Sequence, residues 1–303
     1  MTTLLWTAAV VGALWAQRAL RAARMEAAFR ARHPVNAEGV IIGAEARTYE
    51  RSRSRAILLI HGYNDSPTSL DGIGRVLADA GWTVRLPLLP GHGRSLEAFD
   101  RWTSDDVLWE VRQEYAELRA KYRTVVVGGL SMGGALACWL AAEGDADAVV
   151  LFAPMLFVPR PMQVAVSTAR LWSLLSKYIG GGSGRSIRNP EARRRLIAYG
   201  YSTRRSLEAL EGIAEGSIVR LGFVKAPTLI QQSEEDNRLP RDQSKRAFTR
   251  LGAKDRTVRW VEGAGHVLTL DYGWETVATR AAAWLAEHFD AEPMPDAGRR
   301  AAV

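Results

Sequence analysis

A serine, an acid and a histidine follow one another in this chain in an order that supports acyl transfer. Ser131 lies in Gly129-Leu130-Ser131-Met132-Gly133, after Val125-Val126-Val127 and before Ala135-Leu136-Ala137. A β-branched run, a Gly-x-Ser-x-Gly turn and a run of helix formers predict a strand, a sharp elbow and a helix. The serine hydroxyl would then stand above the sheet edge at the helix N-terminus. Gly129 and Gly133 flank Ser131 at i−2 and i+2, where a Cβ would collide as strand and helix close on the elbow. The serine in such a turn is forced into an unfavourable backbone conformation.

A serine is a poor nucleophile until a base takes its proton. Two histidines follow Ser131. His266 lies in the glycine-rich loop Glu262-Gly263-Ala264-Gly265-His266-Val267, after an apolar strand at 256–261, and can be presented to the elbow. His288 lies near the end of a terminal helix, where the helix dipole favours a cation. The acid of this arrangement falls between serine and histidine in the chain. Asp236, thirty positions before His266, closes the strand 227–232 and is the choice. Glu234 and Glu235 are rivals that spacing alone does not exclude.

The elements that must hold these groups alternate in type. Residues 56–60 form a continuous apolar run, as in a strand buried on both faces. That run delivers His61-Gly62-Tyr63-Asn64-Asp65. A helix to about residue 80, a strand at 82–86 and the loop Pro90-Gly91-His92-Gly93 follow. Thr103-Ser104-Asp105-Asp106 caps a long helix to about residue 122. Residues 38–49 read as an opening strand or hairpin, 148–152 as a strand and 275–289 as a covering helix. Strands alternating with helices predict an α/β fold, a mostly parallel sheet with helices on both faces. Residues 155–224 break the alternation with helical pieces near 162–178, 191–199 and 203–219. A flexible joint, Gly180-Gly181-Gly182-Ser183-Gly184, runs between them. Residues 291–303 read as a loose tail.

The motifs together resemble the α/β-hydrolase family, in its bacterial carboxylesterase and monoacylglycerol-lipase branch. The matching pieces are Leu58-Leu59-Ile60-His61-Gly62-Tyr63, Pro90-Gly91-His92-Gly93, Gly129-Leu130-Ser131-Met132-Gly133, Asp236 and Gly265-His266-Val267-Leu268-Thr269-Leu270-Asp271. The resemblance implies a hydrolase body at 37–154 and 225–290, with an inserted helical cap at 155–224. It implies an oxyanion hole made by the backbone N–H groups of Tyr63 and Met132. His61 and His92 fall to loop architecture, since the base follows the serine in this order. The implied activity is hydrolysis of carboxylic esters of short to medium acyl chains, monoacylglycerols among them, through an acyl-enzyme on Ser131 and without a cofactor. The partner is then a small-molecule ester. Met155, Phe157 and Trp172 of the cap, with Leu156, Met162, Leu171 and Leu175 near them, are the candidates to line an acyl pocket; core packing is the plainer reading of each. A serine nucleophile sets aside the dehalogenase and epoxide-hydrolase branches, which use aspartate. Acyl transfer to an alcohol, thioester hydrolysis and a non-catalytic binding protein on the same fold are the alternatives.

Composition narrows the rest. One cysteine allows no intramolecular disulfide and no thiolate metal cluster, and Cys138 reads as a small core residue of the elbow helix. The five histidines show no paired ligand spacing, so no metal is expected. The net charge is +7, of which residues 1–36 carry +4, five arginines against one glutamate. A body so modestly charged gives no ground for nucleic-acid binding. Residues 1–17 are uncharged, and Arg18, Arg21, Arg24, Arg30 and Arg32 follow in an alanine-rich helical run. A cleaved signal peptide is disfavoured, since no Lys or Arg opens the run and no clear small-x-small site follows; three further readings compete for residues 1–36. One is a short membrane anchor that keeps the catalytic body cytoplasmic. Another is a helix lying on anionic lipid. The third is a soluble helix packed on the body. Oligomeric state is left open by the sequence.

Overall fold

The computed structural model describes residues 2–144, 146–180 and 186–290. In chain order its strands are β1 (Arg47–Tyr49), β2 (Arg55–Ile60), β3 (Thr83–Leu86), β4 (Thr124–Leu130), β5 (Ala148–Phe152), β6 (Ile179–Gly180), β7 (Tyr201–Ser202), β8 (Thr228–Ser233) and β9 (Arg256–Val261). Its helices are α1 (Thr2–Arg32), α2 (Asp71–Asp79), α3 (Leu96–Arg101), α4 (Ser104–Lys121), α5 (Met132–Glu143), α6 (Arg160–Ser167), α7 (Ala169–Leu175), α8 (Pro190–Arg195), α9 (Arg204–Ile218), α10 (Arg241–Phe248) and α11 (Trp274–Phe289).

Seven strands form one sheet in the order β1-β3-β2-β4-β5-β8-β9. Only β1 runs antiparallel to its neighbour. Alternation of side chains along each strand feeds two cores. Leu58, Ile60, Val125 and Val127 enter one, and Ile57, Leu59, Val126 and Val150 enter the other. This is why the strands read as unbroken apolar runs rather than alternating ones. In the β2–β4 ladder Ile60 pairs with Gly129, so the loop after β2 and the elbow after β4 leave the same sheet edge side by side. Crevices outside the carboxyl ends of parallel strands are where such sheets hold ligands.

Between β5 and β8 the alternation stops, and α6 to α9 with the small β6–β7 sheet lie there. We call this segment the cap. Residues 181–184 of the expected glycine joint and the expected tail at 291–303 lie outside the described residues.

Two expectations need correction. The opening strand expected at 38–49 is confined to Arg47–Tyr49, and the apolar run Val40-Ile41-Ile42 makes only a single bridge, from Ile41 to Val35. Gly39 (φ +71°) and Gly43 (φ +95°) bracket that run and turn the chain at both ends. The membrane-spanning reading of residues 1–17 also falls. Among the described residues no helix is long and apolar enough to cross a membrane. The apolar stretch instead continues as one helix to Arg32, whose later half packs on the body through Ala22 and Phe29. Arg18 Nε donates to Ser173 O at 2.7 Å, and Lys177 pairs with Glu26, tying α1 to the cap.

Candidate active site

The elbow is built as its residue types require. Ser131 has φ 54° and ψ −112°, a conformation costly for a residue with a side chain. Glycine is obligatory on both sides, and the main obstacle is the neighbouring strand. A Cβ on Gly133 would lie 1.9 Å from Ile60 O, and one on Gly129 would lie 2.5 Å from the same oxygen. Ser131 is held by its N–H to Phe152 O at 3.0 Å, while Met155 N–H donates to its carbonyl at 2.9 Å.

Three side chains converge here. His266 Nε2 is 2.9 Å from Ser131 Oγ, and His266 Nδ1 is 2.8 Å from Asp236 Oδ2. The Asp236 side chain is 1% exposed and that of His266 10% exposed, so their contact is shielded from solvent. Burial alone would raise the Asp236 carboxyl. The charge of His266, its hydrogen bond, and the N–H groups of Leu239 and Arg238 outweigh it and leave the carboxyl below its usual value. Asp236 therefore stays ionised and fixes the ring with a proton on Nδ1, leaving Nε2 to accept from the serine. The rivals face elsewhere: Glu234 pairs with Arg241 at 2.9 Å, and Glu235 pairs with Arg188. His288 is engaged elsewhere, with Nδ1 on Trp284 O and Nε2 on Asp255.

The loop after β2 lies against the elbow. A Cβ on Gly62 would stand 3.5 Å from Ser131 Cβ. Gly62, Tyr63, Ser131 and His266 line one cavity. Met132 is the first residue of α5, and a helix leaves its first N–H groups without internal partners. His61 is fully buried and shapes the loop. Its Nε2 accepts from Leu89 N at 3.1 Å, so Nδ1 carries the proton that goes to Gly62 O at 2.9 Å. Burial and the neighbouring His92 push its pKa well below the ordinary value, so it stays neutral. His92, bonded through Nδ1 to Pro90 O, is pushed down by burial to about 4.

The cavity measures about 360 Å³ and runs from Ser131 under the cap. Met155, Met162, Ala165, Leu207 and Leu210 form its apolar wall. Of the seven expected pocket residues Met155 and Met162 line it, and Leu156 is buried in the core beside them. Phe157 packs against the core, and the Trp172 indole N–H donates to Ala165 O at 2.8 Å within the cap. Leu171 and Leu175 face solvent. The error has a physical source: α6 and α7 are short helices separated by one residue, so no single helical face runs through both.

Sequence reasoning missed two groups that hold the site. Gln232, fully buried at the end of β8, donates from Nε2 to Asp236 Oδ2 at 2.8 Å. The only signal was a polar pair, Gln231-Gln232, closing an apolar strand. Asp271 accepts four backbone N–H groups, from Gly265, Arg188, Asn189 and Tyr272. It locks the His266 loop to the cap segment at 186–189, and its signal was the conspicuous acid ending Leu268-Thr269-Leu270-Asp271. Among the described residues no cluster could hold a metal ion.

Comparison with known proteins adds a family. The model of the serine aminopeptidase S33 family of hydrolases matches residues 51–272. A thermostable monoacylglycerol lipase of Bacillus sp. (strain H-257) is 29% identical over 82% of this chain and 97% of its own length. A carboxylesterase of Bacillus subtilis (strain 168) is 24% identical over 72% of this chain and 86% of its own. Among solved structures, one from work on LipS and LipT, two metagenome-derived lipolytic enzymes, superposes with a TM-score of 0.76 at 27% identity. It covers 82% of this chain and 100% of that one. Helix α1 precedes the family match.

Proposed function

We propose that this chain, which belongs to the serine aminopeptidase S33 family of α/β-hydrolases, hydrolyses carboxylic esters through an acyl-enzyme on Ser131. The observation that carries the reading is the unbroken hydrogen-bond line from Ser131 Oγ through His266 to Asp236. His266 takes the serine proton as Oγ attacks the carbonyl carbon. Asp236 orients the ring and stabilises the imidazolium that forms. The N–H groups of Tyr63 and Met132 receive the oxyanion; in such sites one donor contributes on the order of 3 kcal/mol. His266 then gives the proton to the leaving alcohol. Water repeats the sequence on the acyl-enzyme and frees the acid and Ser131. No step calls for a cofactor.

The substrate is an ester of short to medium acyl chain, with monoacylglycerols in range. The apolar wall under the cap and the names of the relatives support that range. A series of p-nitrophenyl esters from acetate to palmitate, given to the wild type and to Ser131→Ala, tests it. Turnover that peaks at a medium chain and vanishes in the variant supports the reading. Equal rates in both overturn it.

For α1 the same reading favours an interfacial role on anionic lipid. Leu5, Trp6, Val11, Leu14 and Trp15 are exposed on its first half, and Leu171, Leu174 and Leu175 are exposed on the neighbouring α7. Arg18, Arg21 and Arg24 follow on α1. Co-sedimentation with phosphatidylglycerol vesicles should retain the wild type and lose Trp6→Ser/Trp15→Ser. Equal retention of the two rejects the role.

A further inference from the structure

The loop after β2 is fastened more firmly to the cap than a surface loop needs. The phenol of Tyr63 lies 2.7 Å from Ser206 Oγ, 143 residues away and on the first turn of α9. Ser206 is fully buried and immobilised. Its Oγ accepts from Thr203 N at 2.9 Å, and its N–H donates to Thr203 Oγ1 at 3.1 Å, a reciprocal cap that fixes the start of α9. The next loop residue, Asn64, sits at φ +60° and accepts the N–H of Gly200 on its Oδ1 at 3.0 Å. Two consecutive side chains of the loop thus reach the cap, at Gly200 just before β7 and at the first turn of α9.

The other end of α9 grips the elbow helix. Ser217 Oγ, fully buried, shares its one proton between Ala135 O on α5 at 2.9 Å and Ile213 O of its own helix at 2.8 Å. Gly216 lets the Trp139 ring come so near that a Cβ there would lie 2.1 Å from it. One cap helix therefore touches both halves of the oxyanion site: the Tyr63 loop at its start and the Met132 helix near its end. The two N–H groups come from loops 69 residues apart, and no ladder bond joins Tyr63 to Met132.

We infer that α9 is a brace that sets the two oxyanion donors relative to each other, with the Tyr63 hydroxyl, Ser206 and Ser217 as positioning residues. The inference rests on the proposal that Tyr63 and Met132 supply those donors. Donors of this kind work only when aimed at where the oxyanion will form, so slack in the brace costs the transition state and spares ground-state binding.

The test is a kinetic split. Tyr63→Phe keeps the ring against Phe99 and Trp102 and removes only the hydroxyl. Tyr63→Phe, Ser206→Ala and Ser217→Ala are each expected to lower kcat about tenfold with KM within about twofold. The Tyr63→Phe/Ser206→Ala double variant should fall no further than Ser206→Ala alone, since that change already removes the partner of the Tyr63 hydroxyl. Affinity for a trifluoromethyl-ketone analogue of the tetrahedral state should drop in step with kcat, while affinity for the fatty-acid product holds. Loss of product affinity along with kcat would mark a merely structural role and overturn the brace. Replacing the Tyr63 amide by an ester, which deletes the N–H, separates the two layers of the argument. Impaired turnover there beside normal Tyr63→Phe, Ser206→Ala and Ser217→Ala enzymes overturns the brace alone. Unimpaired turnover there overturns the donor assignment and the brace with it.

Discussion

The floor of the site and its roof are made on different terms. On the floor, where β2, β4 and β8 end, every group has one place to be. Gly129 and Gly133 tolerate no Cβ, Asp236 is buried and bonded on both oxygens, and His61 is neutral and bonded on both nitrogens. On the roof, α6, α7 and α8 are of 8, 7 and 6 residues, and Leu171, Leu174, Leu175 and Val164 lie exposed. The floor fixes the chemistry, and the roof shapes what reaches it. Helix α9 belongs to both, since it packs on α5 and carries the bond to Tyr63.

The sharpest way to break this contrast is at the acid. Asp236→Asn should lower kcat by on the order of 10⁴ with little change in folding, as the amide favours the wrong ring tautomer. Glu235→Gln should stay within about twofold, because that carboxylate faces Arg188. The reverse pattern, in steady-state kinetics on one ester, would move the acid. Next comes Gly133→Ala. It places a carbon 1.9 Å from Ile60 O and should cost more than about 3 kcal/mol in urea unfolding. Gly222→Ala, where nothing lies within 4 Å, should stay within about 0.5 kcal/mol.

Acid unfolding sharpens the contrast by pH. His92 is held to about 4 by burial, against an ordinary value of 6.5. Between those values the unfolded chain binds a proton that the folded ring refuses. Stability is therefore present above pH 6.5 and is lost as pH falls to 4, by about 3 kcal/mol for this one group. Asp65, pushed up to about 7 by burial, acts with the opposite sign: its contribution falls as pH rises from about 4 to 7. His92→Asn keeps a donor for Pro90 O and removes the titration. In thermal unfolding from pH 7 to 4 that variant should lose less stability on acidification than the wild type, by about 3 kcal/mol. At the small end, Leu171→Ser or Leu174→Ser on the exposed roof should change stability by no more than about 0.5 kcal/mol.

The same contrast explains what was legible in the sequence. The elbow, the strand runs and the capping box at Thr103–Asp106 could be read because local sterics and hydrogen bonds dictate them. The pocket wall could not, because a half-exposed short helix leaves no periodic record of which face turns inward. Trp172 misled for that reason and Phe157, in the loop before α6, because a loop has no period to read, while Met155 and Met162 were found. Gln232 and Asp271 showed in the sequence as conspicuous polar residues, but their roles did not, because their partners are brought together only by the fold. Helix α1 was legible as a helix through Arg32, but its partner on the cap was not, since Glu26 finds Lys177 only across 151 residues.

The central claim is that Ser131 is the nucleophile activated by His266. It is tested most directly by treating the folded protein with a fluorophosphonate and weighing the intact chain, followed by peptide mapping. The account predicts one adduct, on Ser131, absent in Ser131→Ala and formed at least about 10³-fold more slowly in His266→Ala. An adduct on another residue, or equal labelling of Ser131 with and without His266, would contradict it.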